Sequence, residues 1–373
     1  MINKPIILFL LHLPPPIHGS SIVGLNIRNS SIINDSFQCH YINLLASNKI
    51  SEAGKINFRK LIGFFNTFLK VLFFLTSHKP QLCYLALTSS GPAFIRDIII
   101  ISILKLFNVR RIYHLHNKGV KLYQNIIISR FFYNFVFKDA EVIVLSKFLY
   151  DDIKCFVSKS KIHICPNGVF DHCKNIARLE INNSRKFKIT TPKILFLSNL
   201  IETKGVFVLL EALAILNQKG INFKCSFVGG ESDISASKFY QFRNKLGLKD
   251  CVSYLGQKIG IEKHKIFLES DIFVLPTYYH KECFPLVLLE AMSYSLPLIS
   301  TPEGGNRDII DDGVNGFLVA HNQVDLLASK LETLIKDVFL RDKMIVASRK
   351  KYEQEFTLDI FEIRLTRIFH KVL

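Results

Sequence analysis

Between His280 and Met292 the chain carries two carboxylates, Glu282 and Glu290, with seven residues between them. The first lies in a polar loop and the second inside the apolar run Leu286-Val287-Leu288-Leu289 to Ala291-Met292. Pro285 suits the first turn of a helix, where its missing N–H would be unpaired anyway. A helix beginning near Phe284 is therefore predicted, with its free amides and positive dipole end toward Glu282. An acid beside an anion pocket suits a ligand bearing both hydroxyls and phosphate, as a sugar nucleotide does. The plainer reading makes Glu282 a solvated loop carboxylate and Glu290 a surface residue. Against it, Glu290 interrupts an apolar face where an unpaired charge is costly.

Other polar residues gather where strands give way to loops. In Ser198-Asn199-Leu200-Ile201-Glu202-Thr203-Lys204-Gly205, Lys204 opens a predicted helix, where the dipole disfavours a cation. A bound phosphate would remove that conflict; without one, Lys204 reads as a solvated lysine. His114 and His116 end a predicted strand with their side chains on one face, and no third zinc ligand stands nearby in the sequence. His116, nearer the loop, is the candidate for hydrogen bonding or proton handling; His114 reads as structural. In the loop Pro14 to Ser21, Gly19 would let backbone approach a ligand at the carboxyl end of a sheet. No Gly-x-Gly-x-x-Gly fingerprint accompanies it.

The elements that would position these residues form two α/β series. In the first half, short β-branched runs predict strands at 6–11, 39–43, 82–85, 111–114, 141–145 and 161–164. In the second they predict strands at 193–197, 223–228, 252–254, 272–275, 297–300 and 316–319. None alternates cleanly, as expected of parallel strands buried on both faces. At 373 residues, length favours two domains. Residues 1–170 form the first. Residues 171–192, with Asn182-Asn183-Ser184, form a linker, and 193–354 form the second domain. The tail 355–373, apolar at helical spacing, is expected to pack back on the first domain. Five strand-end glycine positions in the second half suggest a cleft that backbone must line.

Composition narrows the partners. The net charge is +17. Residues 1–173 hold 20 Lys+Arg against 8 Asp+Glu, and the remainder 28 against 23, so the first half implies an anionic partner. The run Phe58 to Leu75, with Phe94 to Phe107 and Ile126 to Phe137, poses a choice between buried helices and helices resting on an anionic leaflet. The uninterrupted apolar runs fall short of the roughly 20 residues that span a bilayer. Lysines are dispersed and no aromatic-basic RNA motif occurs, which argues against nucleic acid. Eight scattered cysteines without a Cys-x-x-Cys pair suit a reducing compartment. The six-residue apolar core near the amino terminus reads as a first strand, not a signal peptide.

Taken together, the chain resembles the retaining glycosyltransferases of family 4. The resemblance rests on Glu282 and Glu290, Lys204-Gly205, Pro166-Asn167-Gly168-Val169, Asp271 to Pro276, and Gly313-Val314-Asn315-Gly316-Phe317. In the first half only the His-Gly loop and His114-Leu115-His116 match. The resemblance implies a GT-B fold, two Rossmann-like domains with parallel sheets facing across a cleft, the first binding acceptor and the second a nucleotide sugar. It implies that Glu282 holds donor-sugar hydroxyls and Glu290 the ribose. Backbone at Phe284, Leu286 and Gly19 would lie near the diphosphate, Lys204 would balance it, and His116 would contact the donor sugar. No metal or resident cofactor is implied, consistent with the absence of an Asp-x-Asp motif. The family usually has an arginine where this chain has Asn199, so Arg307 or Lys281 is expected to supply the missing charge. The implied reaction is retaining transfer from a nucleotide sugar to a lipid-linked or oligosaccharide acceptor during surface polysaccharide assembly. It would take place on the inner face of the cytoplasmic membrane, with the basic first domain touching the anionic leaflet. The alternatives are a sugar-nucleotide epimerase or hydrolase of the same architecture, and an inactive scaffold.

Overall fold

A computed structural model of the chain describes residues 4–45, 58–173 and 191–373, with backbone alone for 58–62. It divides into two compact units, 1–167 with 358–373 and 168–357. The first unit thus ends at 167 against the expected 170, and the returning tail starts at 358 against the expected 355. Of the expected linker 171–192, residues 174–190 lie outside the described residues. Asp171 belongs to the second unit, where its carboxylate accepts from the Arg349 guanidinium (2.9 Å from Nη1).

The first unit holds six parallel strands, β1 (Ile6–Leu11), β2 (Gln38–Asn43), β3 (Leu82–Leu87), β4 (Arg110–Leu115), β5 (Glu141–Val144) and β6 (Ile162–Ile164). Their order is β2-β1-β3-β4-β5-β6. Ile7 to Leu11 and all of Leu82–Leu87 are buried, the two-faced burial that the unbroken apolar runs predict. The helix Leu358–Val372 belongs to this unit and buries Phe361, Leu365, Phe369 and Val372. Phe369 meets the rings of Phe9, Phe37 and Tyr84.

Two of the aromatic helices are buried along one face and exposed along the other. Along Phe58–Ser77, Thr67, Val71 and Leu75 point inward at four-residue spacing, while Phe65, Leu69 and Phe73 are exposed at the same spacing. Ile127–Phe137 likewise buries Tyr133, Val136 and Phe137 and exposes Ile127, Ile128 and Phe131. Among the described residues, no helix is long and apolar enough to cross a membrane.

In the second unit the parallel strands are β7 (Lys193–Leu197), β8 (Lys224–Val228), β9 (Val252–Tyr254), β10 (Ile272–Leu275), β11 (Leu298–Ser300) and β12 (Gly316–Leu318). The order β12-β11-β10-β7-β8-β9 reverses direction between β7 and β10. In open α/β sheets, loops diverge to opposite faces at such a point and leave a crevice at the strands' carboxyl ends. All twelve strands lie within two residues of the predicted bounds. Two glycines in the loops that follow these strands are pressed against neighbouring backbone. A side chain on Gly205 (φ +87°) would meet the Pro276 carbonyl oxygen at 2.3 Å, and one on Gly304 (φ +53°) the Glu282 carbonyl oxygen at 2.4 Å. The neighbouring backbone already fills that space.

Candidate active site

Lys204 and Glu282 come from the two loops that leave β7 and β10 at the reversal point. Pairing of those strands sets the loops side by side. Tyr278 N–H then donates to Thr203 C=O (2.8 Å), and Gly205 lets the first loop close over Pro276. So placed, Lys204 Nζ donates to Glu282 Oε2, with only 15% and 10% of the two side chains exposed. Lys204 also lies over the Tyr279 ring, 5.0 Å from its centroid. Burial and the Glu282 charge push the Tyr279 hydroxyl pKa upward. Lys204 is not a solvated lysine: it ends the 3₁₀ turn Glu202–Lys204, two residues before the helix Val206–Gln218 begins, and Glu282 neutralises it.

The helix predicted near Phe284 begins at Leu286 and runs to Ser293. Pro285 sits at its cap with ψ 115°, outside the helical region, because the chain is still extended as it leaves the Glu282 turn. The Phe284 side chain is buried and packs on Phe356 (ring centroids 5.9 Å). The amides of Leu286 and Val287 open the helix, where no intrahelical acceptor exists for them. On that helix Glu290 is part-exposed, and both its carboxylate oxygens accept from Lys263 Nζ at 2.7 Å. The unpaired charge feared at this position is therefore met. Lys263 lies on the helix Gly260–Glu269, and no local spacing ties it to Glu290.

Asn199 uses its side-chain carbonyl within the fold, accepting from Gly230 N–H at 3.1 Å and tying the β7 and β8 loops together. That leaves its amide N–H₂ as the group able to face a ligand. Arg307 is exposed and Lys281 half-buried, on the loops following β11 and β10.

Gly19 and His116 belong to the first unit. Gly19 is the first residue of the helix Gly19–Asn29, which His18 caps by accepting from Ser21 N–H; a side chain at Gly19 would meet no protein atom within 4 Å. His114 is fully buried, hydrogen-bonded through Nδ1 to the Tyr84 hydroxyl at 2.6 Å, and stacks beside His116 (4.2 Å between centroids). A further histidine, His12, bonds to Ser20 Oγ at 3.0 Å, and Ser20 in turn to His18. Burial and then the neighbouring His18 hold His116 down at about 3, while burial and then His116 hold His114 well below the usual range. Burial, Arg96, His116 and His18 lower His12. All three are neutral at pH 7, able to hydrogen-bond without carrying charge. His12 escaped the sequence reading because nothing in its spacing links it to His116; the fold does. Among the described residues, no group of three His, Cys, Asp or Glu side chains is arranged to hold a metal ion.

Comparison with known proteins gives this geometry a context. Residues 178–351 match the family model "Glycosyl transferases group 1". The chain is 31% identical over 187 residues to the amylovoran biosynthesis glycosyltransferase AmsK of Erwinia amylovora, which covers 48% of this chain and 45% of that protein. It is 27% identical over 181 residues to the capsular polysaccharide biosynthesis glycosyltransferase CapM of Staphylococcus aureus, covering 48% and 46%. The chain thus matches about half the length of these curated relatives. Among solved structures, a glycosyltransferase from Rickettsia africae superposes with TM-score 0.75 at 19% identity, covering 99% of each chain. Anabaena HepE, solved with UDP and glucose, superposes with TM-score 0.72 at 18% identity, covering 98% of this chain and 99% of that one. Two six-stranded parallel sheets flanked by helices are the α/β architecture of the GT-B fold, and over residues 178–351 the sequence is similar to the glycosyl transferases group 1 family.

Proposed function

We propose that the protein is a retaining glycosyltransferase that moves a sugar from a nucleotide-sugar donor to a lipid-linked or oligosaccharide acceptor in surface polysaccharide assembly. The observation carrying this reading is the sequestered Lys204–Glu282 pair at the β7/β10 reversal. A donor diphosphate at the opening of the helix Leu286–Ser293 would draw Lys204 to itself. Glu282, released from its cation, would accept hydrogen bonds from the sugar hydroxyls. Glu290 would bind the ribose diol, with Lys263 keeping its carboxylate ionised and oriented. The Asn199 amide, the backbone at Gly19, Phe284 and Leu286, and neutral His116 would complete the donor contacts. The acceptor hydroxyl would attack on the face from which the diphosphate departs, and a diphosphate oxygen would take its proton. Lys204 and the helix amides would meet the growing negative charge, and no metal ion or resident cofactor enters this scheme.

The relatives named for amylovoran and capsular polysaccharide biosynthesis support the acceptor class. The exposed faces of Phe58–Ser77 and Ile127–Phe137, with Phe73 at 74% and Ile127 at 85% exposure, support peripheral contact with the inner leaflet of the cytoplasmic membrane. The excess of Lys and Arg in residues 1–173 fits an anionic surface there.

Labelled nucleotide sugar incubated with membrane extract tests the proposal. Label passing into lipid supports transfer; free sugar released equally with and without lipid would mean hydrolysis instead. Glu282→Gln keeps a partner for Lys204 and is expected to fold normally while turnover falls by roughly 10³-fold, the scale of losing a charge-stabilising group. Near-normal turnover in that variant would remove Glu282 from the site.

A further inference from the structure

At the amino edge of the first sheet, where Arg111 lies roughly 10 Å from His114 and roughly 16 Å from His116 along the strand at 3.3 Å per residue, is a cavity of about 370 Å³. Arg110, Arg111, Asp139, Glu141, His163 and Lys371 all contribute to its lining. The strands are parallel, so the starts of β4, β5 and β6 gather here, with the last turn of the helix Leu358–Val372 beside them.

Arg111 is the unusual member. It is 8% exposed. Its Nη1 donates to the Val109 carbonyl at 2.8 Å and its Nη2 to the Asp139 carbonyl at 3.4 Å, while its Nε has no partner. Among the described residues no carboxylate forms an ion pair with it. A guanidinium removed from water without a counter-charge is strongly disfavoured. The acids nearby do not correct this: Glu141 is engaged by His163 Nε2 at 2.8 Å, and Asp139 offers Arg111 its backbone carbonyl instead of its carboxylate. Positive charge accumulates around it. Arg110 caps the carbonyls of Val372 and Leu373, Lys371 is exposed on the same helix turn, and Lys105 lies close enough for the Arg111 charge to add to burial in lowering its pKa.

We propose that this cavity binds the phosphate group of a small phosphorylated molecule, with Arg111 as the buried counter-ion and Arg110 and Lys371 at the rim. Two guanidiniums and an ammonium suit the doubly charged, multiply accepting phosphate monoester better than a single carboxylate. The volume sits at the small end of ligand sites, which excludes a polymer. The site lies at the opposite edge of the sheet from His116, and it stands whether or not the donor reading holds.

Orthophosphate binding to the full chain, measured by calorimetry at physiological ionic strength, tests it. Wild type is expected to bind; Arg111→Met should weaken binding at least tenfold and Lys371→Gln several-fold, while Lys249→Gln, at an exposed position of the second unit, leaves it unchanged. Lys371 is exposed, so its variant tests the site even if Arg111→Met fails to fold. Flotation with phosphatidate vesicles separates the sources: vesicle binding lost in the Arg111 variant identifies a lipid headgroup, and phosphate binding without flotation a soluble metabolite. Absence of orthophosphate binding in wild type, or wild-type affinity in both cavity variants, would overturn the proposal.

Discussion

At the scale of single residues, the pairing of Lys204 with Glu282 makes each the guardian of the other. Lys204→Met leaves a carboxylate with 10% exposure and no cation, a change expected to destabilise the second unit by about 3 kcal/mol. Adding Glu282→Gln removes the stranded charge, so the double variant should recover most of that stability in a denaturant titration yet remain inactive. If the double variant were no more stable than the single one, the two side chains would not be coupled. Gly19 gives the complementary case. Its Cβ would meet nothing within 4 Å and its backbone is helical, so Gly19→Ala should leave the melting temperature unchanged or slightly raised. If the donor's diphosphate approaches that backbone as proposed, the same methyl should raise the donor KM about tenfold. An unaltered KM would relieve Gly19 of any ligand role.

At the scale of elements, β4 carries a titration that its neighbours impose. His114 and His116 are held neutral by burial, with folded-state pKa values below the ordinary 6.5. As pH falls through 6.5 the unfolded chain gains protons that the folded chain refuses. Their contribution is therefore intact above that pH and is lost progressively below it, for His116 down to about 3, by at most about 1.4 kcal/mol per pH unit for each histidine. Chemical denaturation between pH 7 and 4.5 should show this slope, and His114→Phe should flatten it. An equal slope in that variant would place the titration elsewhere. Elements were also what the sequence disclosed best. Strands buried on both faces read as unbroken apolar runs, so β1, β7 and β10 were legible to the residue. The helix start at Leu286 was not, because Pro285 satisfies a cap as well as a first turn and only the extended ψ distinguishes them. Partners brought from distant elements were invisible for a related reason. Lys263 meets Glu290, and Ser20 meets His12, through topology that no local spacing encodes.

At the scale of the whole molecule, the chain leaves its first unit at Asn167 and returns at Leu358, so the sequence neighbours of the second unit's last helix complete the first unit's core. The returning helix is fixed there by polar and apolar contacts. Ser30 Oγ donates to the buried Glu362 carboxylate at 2.6 Å, and Phe369, fully buried, closes over Phe9, Phe37 and Tyr84. Those three rings belong to β1, the approach to β2, and β3, so the helix covers one face of the β2-β1-β3 half of the sheet. Removing the Phe369 ring should leave a cavity against them and cost about 3–5 kcal/mol. The loss should be confined. Hydrogen exchange in Phe369→Ala is expected to quicken at the amides of β1 and β3 and to stay at wild-type rates in β7 and β10. The part of the nucleotide-sugar affinity that the proposal assigns to Lys204, Glu282 and Glu290 should survive, and any loss should be confined to the share assigned to Gly19 and His116. Equal deprotection of both sheets would mean that the two units unfold as one, and the carboxyl-terminal helix would then be a clasp on the entire chain instead of a part of its first core.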